Sequence, residues 1–315
     1  MKRRRFLKGS SALFVAGATG LSGCAGLGDE SDGTSTVGTD RLEGWLPAPR
    51  ALDSDLDHYQ FNAVAPAALS KAVNTDVFGR FDQDTTPQNE TSADVNVGTF
   101  PASAIDLTFS TSASTGAETY SFRGYFGSFE SDWLKTKILN NGYDRISAEG
   151  DFTLYNDEDN TAGSRVTAIS KKVLIAGAKQ VTDPGSNADA VPLVETIIET
   201  GQGRTEGYAD QLEDMSALMS GLPGGHQFSG STFDRVTETN PENKQFENFV
   251  GEGETRRVVG SATKVTKVLV FLSAADVFER DIEQYIESSG DFADFSKKPE
   301  YKVDGRVVTV EGRSA

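Results

Sequence analysis

Apolar residues recur along this chain with two periods, and the switches between them mark out the elements. Ile105, Leu107 and Phe109 alternate with Asp106 and Thr108, the period of a strand with one buried face. Tyr120, Phe122 and Phe126 continue that alternation and predict a second strand over Glu118–Phe129. The period then becomes helical from about Ser131 to Asn141, with Trp133, Leu134, Lys137 and Ile138 in step and Gly142 as the stop. Strands are predicted around Arg145–Tyr155 and Arg165–Gly177, the second hinged at Ser170-Lys171-Lys172. Pro192 leads a helix that buries Leu193, Val194, Ile197 and Ile198, capped by Asp189 and ended by Gly201.

The flanking segments follow the same grammar. Phe61–Val64 reads as a short strand, Pro66 opens a helix carrying Leu69 and Ala72, and Asp76–Asn96 is a polar loop. Tyr208–Ser220 is predicted helical, with Tyr208, Leu212, Met215 and Met219 on one stripe. His226–Val236 and Glu254–Ser273 are strand regions, the latter holding the most apolar run, Val268–Leu272. Ser273–Asp276 approximates a capping box, and the helix after it is expected to bury Phe278, Ile282, Tyr285 and Ile286. The Asp304-Gly305 step predicts a closing hairpin.

An offset near 144 places Asp132, Trp133, Leu134 and Ile138 on Asp276, Val277, Phe278 and Ile282, with strands before and after each helix. The helices near positions 66 and 208 differ by a similar amount. The expected class is α+β: antiparallel sheets with helices packed on one face, as two related units at 41–203 and 204–315.

The first 23 residues follow a different rule. A basic head precedes a glycine-rich apolar stretch, Gly9–Gly23, of fifteen residues. That is short of the ~20 needed to cross a bilayer as a helix, so it reads as a removable signal. Arg3, Arg4, Phe6, Leu7 and Lys8 match the twin-arginine export pattern, with Lys2 where Ser or Thr is usual. Leu21-Ser22-Gly23-Cys24 is a lipoprotein box, and Cys24 is the only cysteine. Lipidation there leaves no free thiol, and residues 24–40, poor in large apolar side chains, form a flexible tether. The expected place is the outer face of the cell membrane, held by the lipid on Cys24.

Charge changes the picture next. Without residues 1–23 the chain keeps 25 basic against 47 acidic residues, a net of −22. Such a surface repels nucleic acid and anionic headgroups. At 1 M salt the Debye length is about 3 Å, so the same carboxylates no longer strain the fold. The twin-arginine lipoprotein signal and the acidic composition together resemble the surface lipoproteins of haloarchaea. The resemblance covers the first 40 residues and the overall composition.

Candidate chemistry is sparse. The only two histidines, His58 and His226, exclude a histidine-rich metal site, and no P-loop or G-x-S-x-G elbow is present. Gly201-Gln202-Gly203 follows a helix rather than a strand and reads as a helix end. Asp53, Asp55 and Asp57 alternate as calcium ligands do, but His58 stands where an EF-hand needs glycine. Asn156–Asn160 is an acidic hairpin tip, and Asn89 heads the single glycosylation sequon. No cofactor is implied. The expected function is a membrane-anchored binding or scaffolding lipoprotein without turnover. An extracytoplasmic hydrolase with a carboxylate-based site is the alternative.

Overall fold

The computed structural model describes residues 36–72, 102–157, 164–181, 188–293 and 295–314. The predicted export signal, Cys24, most of the predicted tether, the predicted polar loop at 76–96 and Asn89 lie outside the described residues, as does part of the predicted acidic tip at 156–160. The described residues all belong to one compact unit.

Among the described residues, twelve strands make one antiparallel sheet. In chain order they are β1 (Gln60–Val64), β2 (Ile105–Ser114), β3 (Glu118–Gly127), β4 (Asp144–Glu149), β5 (Phe152–Asn156) and β6 (Ser164–Ile169). Then come β7 (Val173–Val181), β8 (Gln227–Thr232), β9 (Phe249–Val259), β10 (Ala262–Phe271), β11 (Glu300–Asp304) and β12 (Val307–Ser314). Across the sheet the order is β11-β12-β10-β9-β8-β1-β2-β3-β7-β6-β5-β4. β1 and β8 meet at the centre, with Gln60 opposite Ser231 and Ala63 opposite Phe228. The sheet therefore runs unbroken across position 203. Each half lays down three antiparallel strands, a helix, and further strands that return to the third, but four strands return in the first half and two in the second. A duplicated unit is not established by this. The helices near 66 and 208 do not correspond, since one follows β1 and the other precedes β8.

Helices lie against both faces. Neighbouring residues on a strand point to opposite sides, and β7 shows the split. Ile175 joins the large core with Val194, Ile197 and Ile198, whereas Leu174 joins Leu134, Ile138 and Tyr155. The front face carries α1 (Asp40–Glu43), α2 (Pro49–Leu52), α5 (Val191–Gly201), α6 (Tyr208–Gln211) and α7 (Glu213–Gly221). The back face carries α3 (Pro66–Ala72), α4 (Ser131–Asn140) and α8 (Glu279–Ser288). α4 covers β5–β7, α8 covers β10 and β12, and Leu69 of α3 packs on Val64 and Val258.

Several expected elements divide. Arg145–Tyr155 is a hairpin turning at Gly150, and Glu254–Ser273 belongs to the hairpin β9–β10 turning at Gly260, both glycines at positive φ. The helix over Tyr208–Ser220 breaks at Leu212, which adopts extended backbone between α6 and α7. Tyr208 is held by its neighbours instead, donating to or accepting from Thr232 Oγ1 at 2.8 Å and accepting from the Tyr59 N–H at 3.0 Å. Phe278 is not buried: α8 begins one residue later, at Glu279, and the ring is 54% exposed while Ile282 and Tyr285 are fully covered.

Candidate functional site

Between the α4 and α8 ridges the middle of the back face is polar, because the alternating residues there are hydrophilic. The register lines up Gln60, Ser231, Glu252 and Leu269 in one row across β1, β8, β9 and β10. The next row is Asn62, Ser229, Glu254 and Lys267. The front-facing partners in β9 are Gly251 and Gly253. A Cβ on Gly253 would stand 3.0 Å from Leu218 Cδ1 and 2.9 Å from the Ser229 carbonyl. Glycine thus lets α7 approach the front of β9 while the back of the same strand carries charge.

Apart from Asn62, these rows floor a cleft of about 280 Å³, walled by Lys244 and Asp291. Asp291 sits in the turn after α8, where Ser289 Oγ accepts from its backbone N–H at 3.2 Å. Lys244 follows a short 3-10 turn, Pro241–Asn243, and adopts the left-handed conformation at φ 59°. Non-glycine residues in that region are strained, and such strain gathers at sites the surrounding structure holds in place.

The charges form a chain of alternating sign. Arg256 Nε pairs with Glu254 Oε1, and Glu254 Oε2 lies 3.2 Å from Lys267 Nζ. Lys267 Nζ reaches Asp291 Oδ2 at 2.6 Å, and Lys244 Nζ reaches the same oxygen at 2.8 Å. The Tyr285 hydroxyl also donates to Asp291, at 2.8 Å. Burial works to raise the Asp291 pKa, but hydrogen bonds from Lys244 and Lys267 outweigh it and hold the carboxyl well below the usual range. Burial likewise opposes the charge on Lys244, and Asp291 more than offsets it, so that ammonium titrates above its ordinary value. Tyr285 is pushed upward by burial and by the Asp291 charge. The three cations and the carboxylates of Glu252, Glu254 and Asp291 balance. Among the described residues no cation lies within ion-pair distance of Glu252.

Asp53, Asp55 and Asp57 are not gathered around a common point. Asp53 is bonded by the Tyr120 hydroxyl and accepts the Asp55 backbone N–H at 2.8 Å, contacts that lower its pKa. Asp57 pairs with Arg50 at 2.8 Å. Among the described residues no group of three or more His, Cys, Asp or Glu side chains is placed to hold a metal ion. His58 Nδ1 lies 3.0 Å from Thr232 Oγ1, and its Nε2 lies 3.4 Å from Asp234. The order of groups suggests a nucleophile with its base, but Thr232 is buried and already bonded to Tyr208, so no substrate reaches it. His226 is fully buried and accepts the Val258 N–H at 3.0 Å, a structural bond.

None of the cleft residues stands out singly in the sequence. The available signal was Gly251-Glu252-Gly253-Glu254, charge alternating with glycine inside a strand that begins and ends on apolar pairs, Phe249-Val250 and Val258-Val259.

Among the described residues no helix is long and apolar enough to cross a membrane. No protein-family model and no curated protein matches the chain. Three solved structures, all crystal forms of a protein named TP0453, are similar in fold at low identity. Form III aligns at 10% identity and a TM-score of 0.44 over 87% of this chain and 93% of that one. Form I gives 11% and 0.43 over 87% and 92%, and form IV gives 10% and 0.43 over 91% and 96%. Likeness at this level carries no argument about function.

Proposed function

We propose that this is a lipid-tethered surface protein that binds a small polar ligand in the back-face cleft and does not transform it. The twin-arginine pattern and Cys24 support the address, with the net of −22 supporting a high-salt setting. The observation that carries the binding reading is the continuous charge chain from Arg256 to Lys244. Its members fix one another's positions, so donors and acceptors are set before a ligand arrives and little ordering entropy is lost on binding. Asp291 is locked in the ionised form by two lysines, which removes it as a proton donor.

One observation favours the hydrolase reading. Glu252 and Glu254 lie two residues apart on one face of β9 and both line the cleft, and a pair of acids facing one site is what glycosidases use. The test is a hydrolase screen of the purified chain at about 2 M KCl, a salt level that screens its surface charge. Binding without turnover supports the proposal. Turnover abolished by Glu252→Gln or Glu254→Gln replaces it with the hydrolase.

A further inference from the structure

Resting on that reading of the cleft, we infer that its ligand is a neutral, polyhydroxylated molecule of the saccharide class, held through adjacent hydroxyl groups.

Charge makes the first selection. Lys267 is shared by Glu254 and Asp291, Lys244 is paired with Asp291, and Arg256 with Glu254. An anion would have to displace a carboxylate from each cation it approached, inside a chain whose mature net is −22. A cation finds Glu252 but also the ammonium of Lys244, close enough to Glu252 for their charges to interact. A neutral ligand meets neither penalty.

Hydrogen-bond pattern makes the second. Acceptors and donors alternate over short distances: the Glu252 carboxylate, the Ser229 and Ser231 hydroxyls, the Gln60 amide, and the remaining N–H groups of Lys244 and Arg256. Cross-strand neighbours on one face stand ~5 Å apart. A hydroxyl both donates and accepts, so a pair of adjacent hydroxyls can donate to Glu252 while accepting from the lysine or from a serine. Bonds to ionised groups are the stronger kind and compensate a sugar for lost water. At about 280 Å³ the cleft lies near the lower end of ligand pockets, which suits one or two rings rather than a larger body.

The experiment uses the full chain in a sugar-free zwitterionic detergent with about 2 M KCl. Calorimetric titration is run with glucose, galactose, mannose and N-acetylglucosamine, and separately with sodium phosphate, glycine betaine and calcium chloride. Glu252→Gln, which keeps the shape of the side chain, is titrated in parallel and its melting temperature recorded. The inference expects saturable binding of at least one neutral sugar, weakened roughly tenfold or more in the variant, as loss of a charge-assisted hydrogen bond does. The melting temperature of the unliganded variant should stay that of the parent. Binding of betaine or calcium but no sugar, lost in Glu252→Gln, or of phosphate but no sugar, lost in Lys244→Met, overturns the saccharide class and leaves the cleft as the binding site. Sugar binding indifferent to Glu252→Gln and to Lys244→Met overturns the cleft itself. No binding by any of these probes overturns the inference as well.

Discussion

Lys267 Nζ lies 2.6 Å from Asp291 Oδ2, tying the interior of β10 to the turn that follows α8. Both side chains are largely covered, at 12% and 19% exposure, so the pair is less screened than a surface bridge. It fixes one wall of the cleft to its floor.

Asp291→Asn should therefore destabilise the chain by about 2–3 kcal/mol in denaturant unfolding, because two ammonium groups lose their shared carboxylate. Lys267→Met in the same background should cost much less than it does alone, a coupling that a double-mutant cycle reads directly.

The pH dependence follows from the sign of the shift. The Asp291 pKa is depressed in the folded chain, so its stabilisation is complete above the unfolded carboxylate value near 4 and is lost as pH falls below it. Acid unfolding of the parent should steepen below about pH 4, and Asp291→Asn should flatten that limb. An unchanged acid limb would show that the ion chain is not what holds the wall.

Lys244 separates backbone strain from charge. At φ 59° it occupies a conformation that glycine adopts freely. Lys244→Ala and Lys244→Gly both remove the pair with Asp291, but only alanine keeps the strain. The glycine variant should be more stable than the alanine variant by about 1 kcal/mol, measured by chemical denaturation.

The elements of this fold were more legible in the sequence than their assembly. Alternation at Ile105-Leu107-Phe109 and helical spacing at Leu134-Ile138 each need one covered face, and each found one. That α4 and α5 lie on opposite faces of the same strands depended on Leu174 and Ile175 pointing apart, a long-range choice that local periodicity does not encode. The joining of β1 to β8 at the centre likewise pairs residues some 170 positions apart, with Gln60 opposite Ser231. Phe278 misled because its place in the helical period was sound while the helix began one residue later. The cleft was invisible for a related reason. Lys244, Glu254, Lys267 and Asp291 come from four segments, and only the register of β9 on β10 and the turn after α8 bring them together.

Salt should act strongly on stability. With 25 basic and 47 acidic residues from Cys24 onward, carboxylate repulsion is the dominant long-range term at low ionic strength. The melting temperature should climb steeply between about 0.1 M and 2 M KCl as the Debye length shrinks. A flat response would remove the high-salt setting from the account.

Cys24→Ser tests the address. The variant should appear in the medium or accumulate unprocessed, while the parent fractionates with membranes. Membrane recovery and gel mobility equal to the parent would exclude lipidation at Cys24.

The most direct measurement is a crystal structure of the chain grown with whichever saccharide binds it in the calorimetric titration. The account predicts ordered density in the back-face cleft, with ligand hydroxyls within hydrogen-bond distance of Glu252 and of Lys244 or Ser231. An empty cleft, with the sugar bound elsewhere on the molecule, would contradict it.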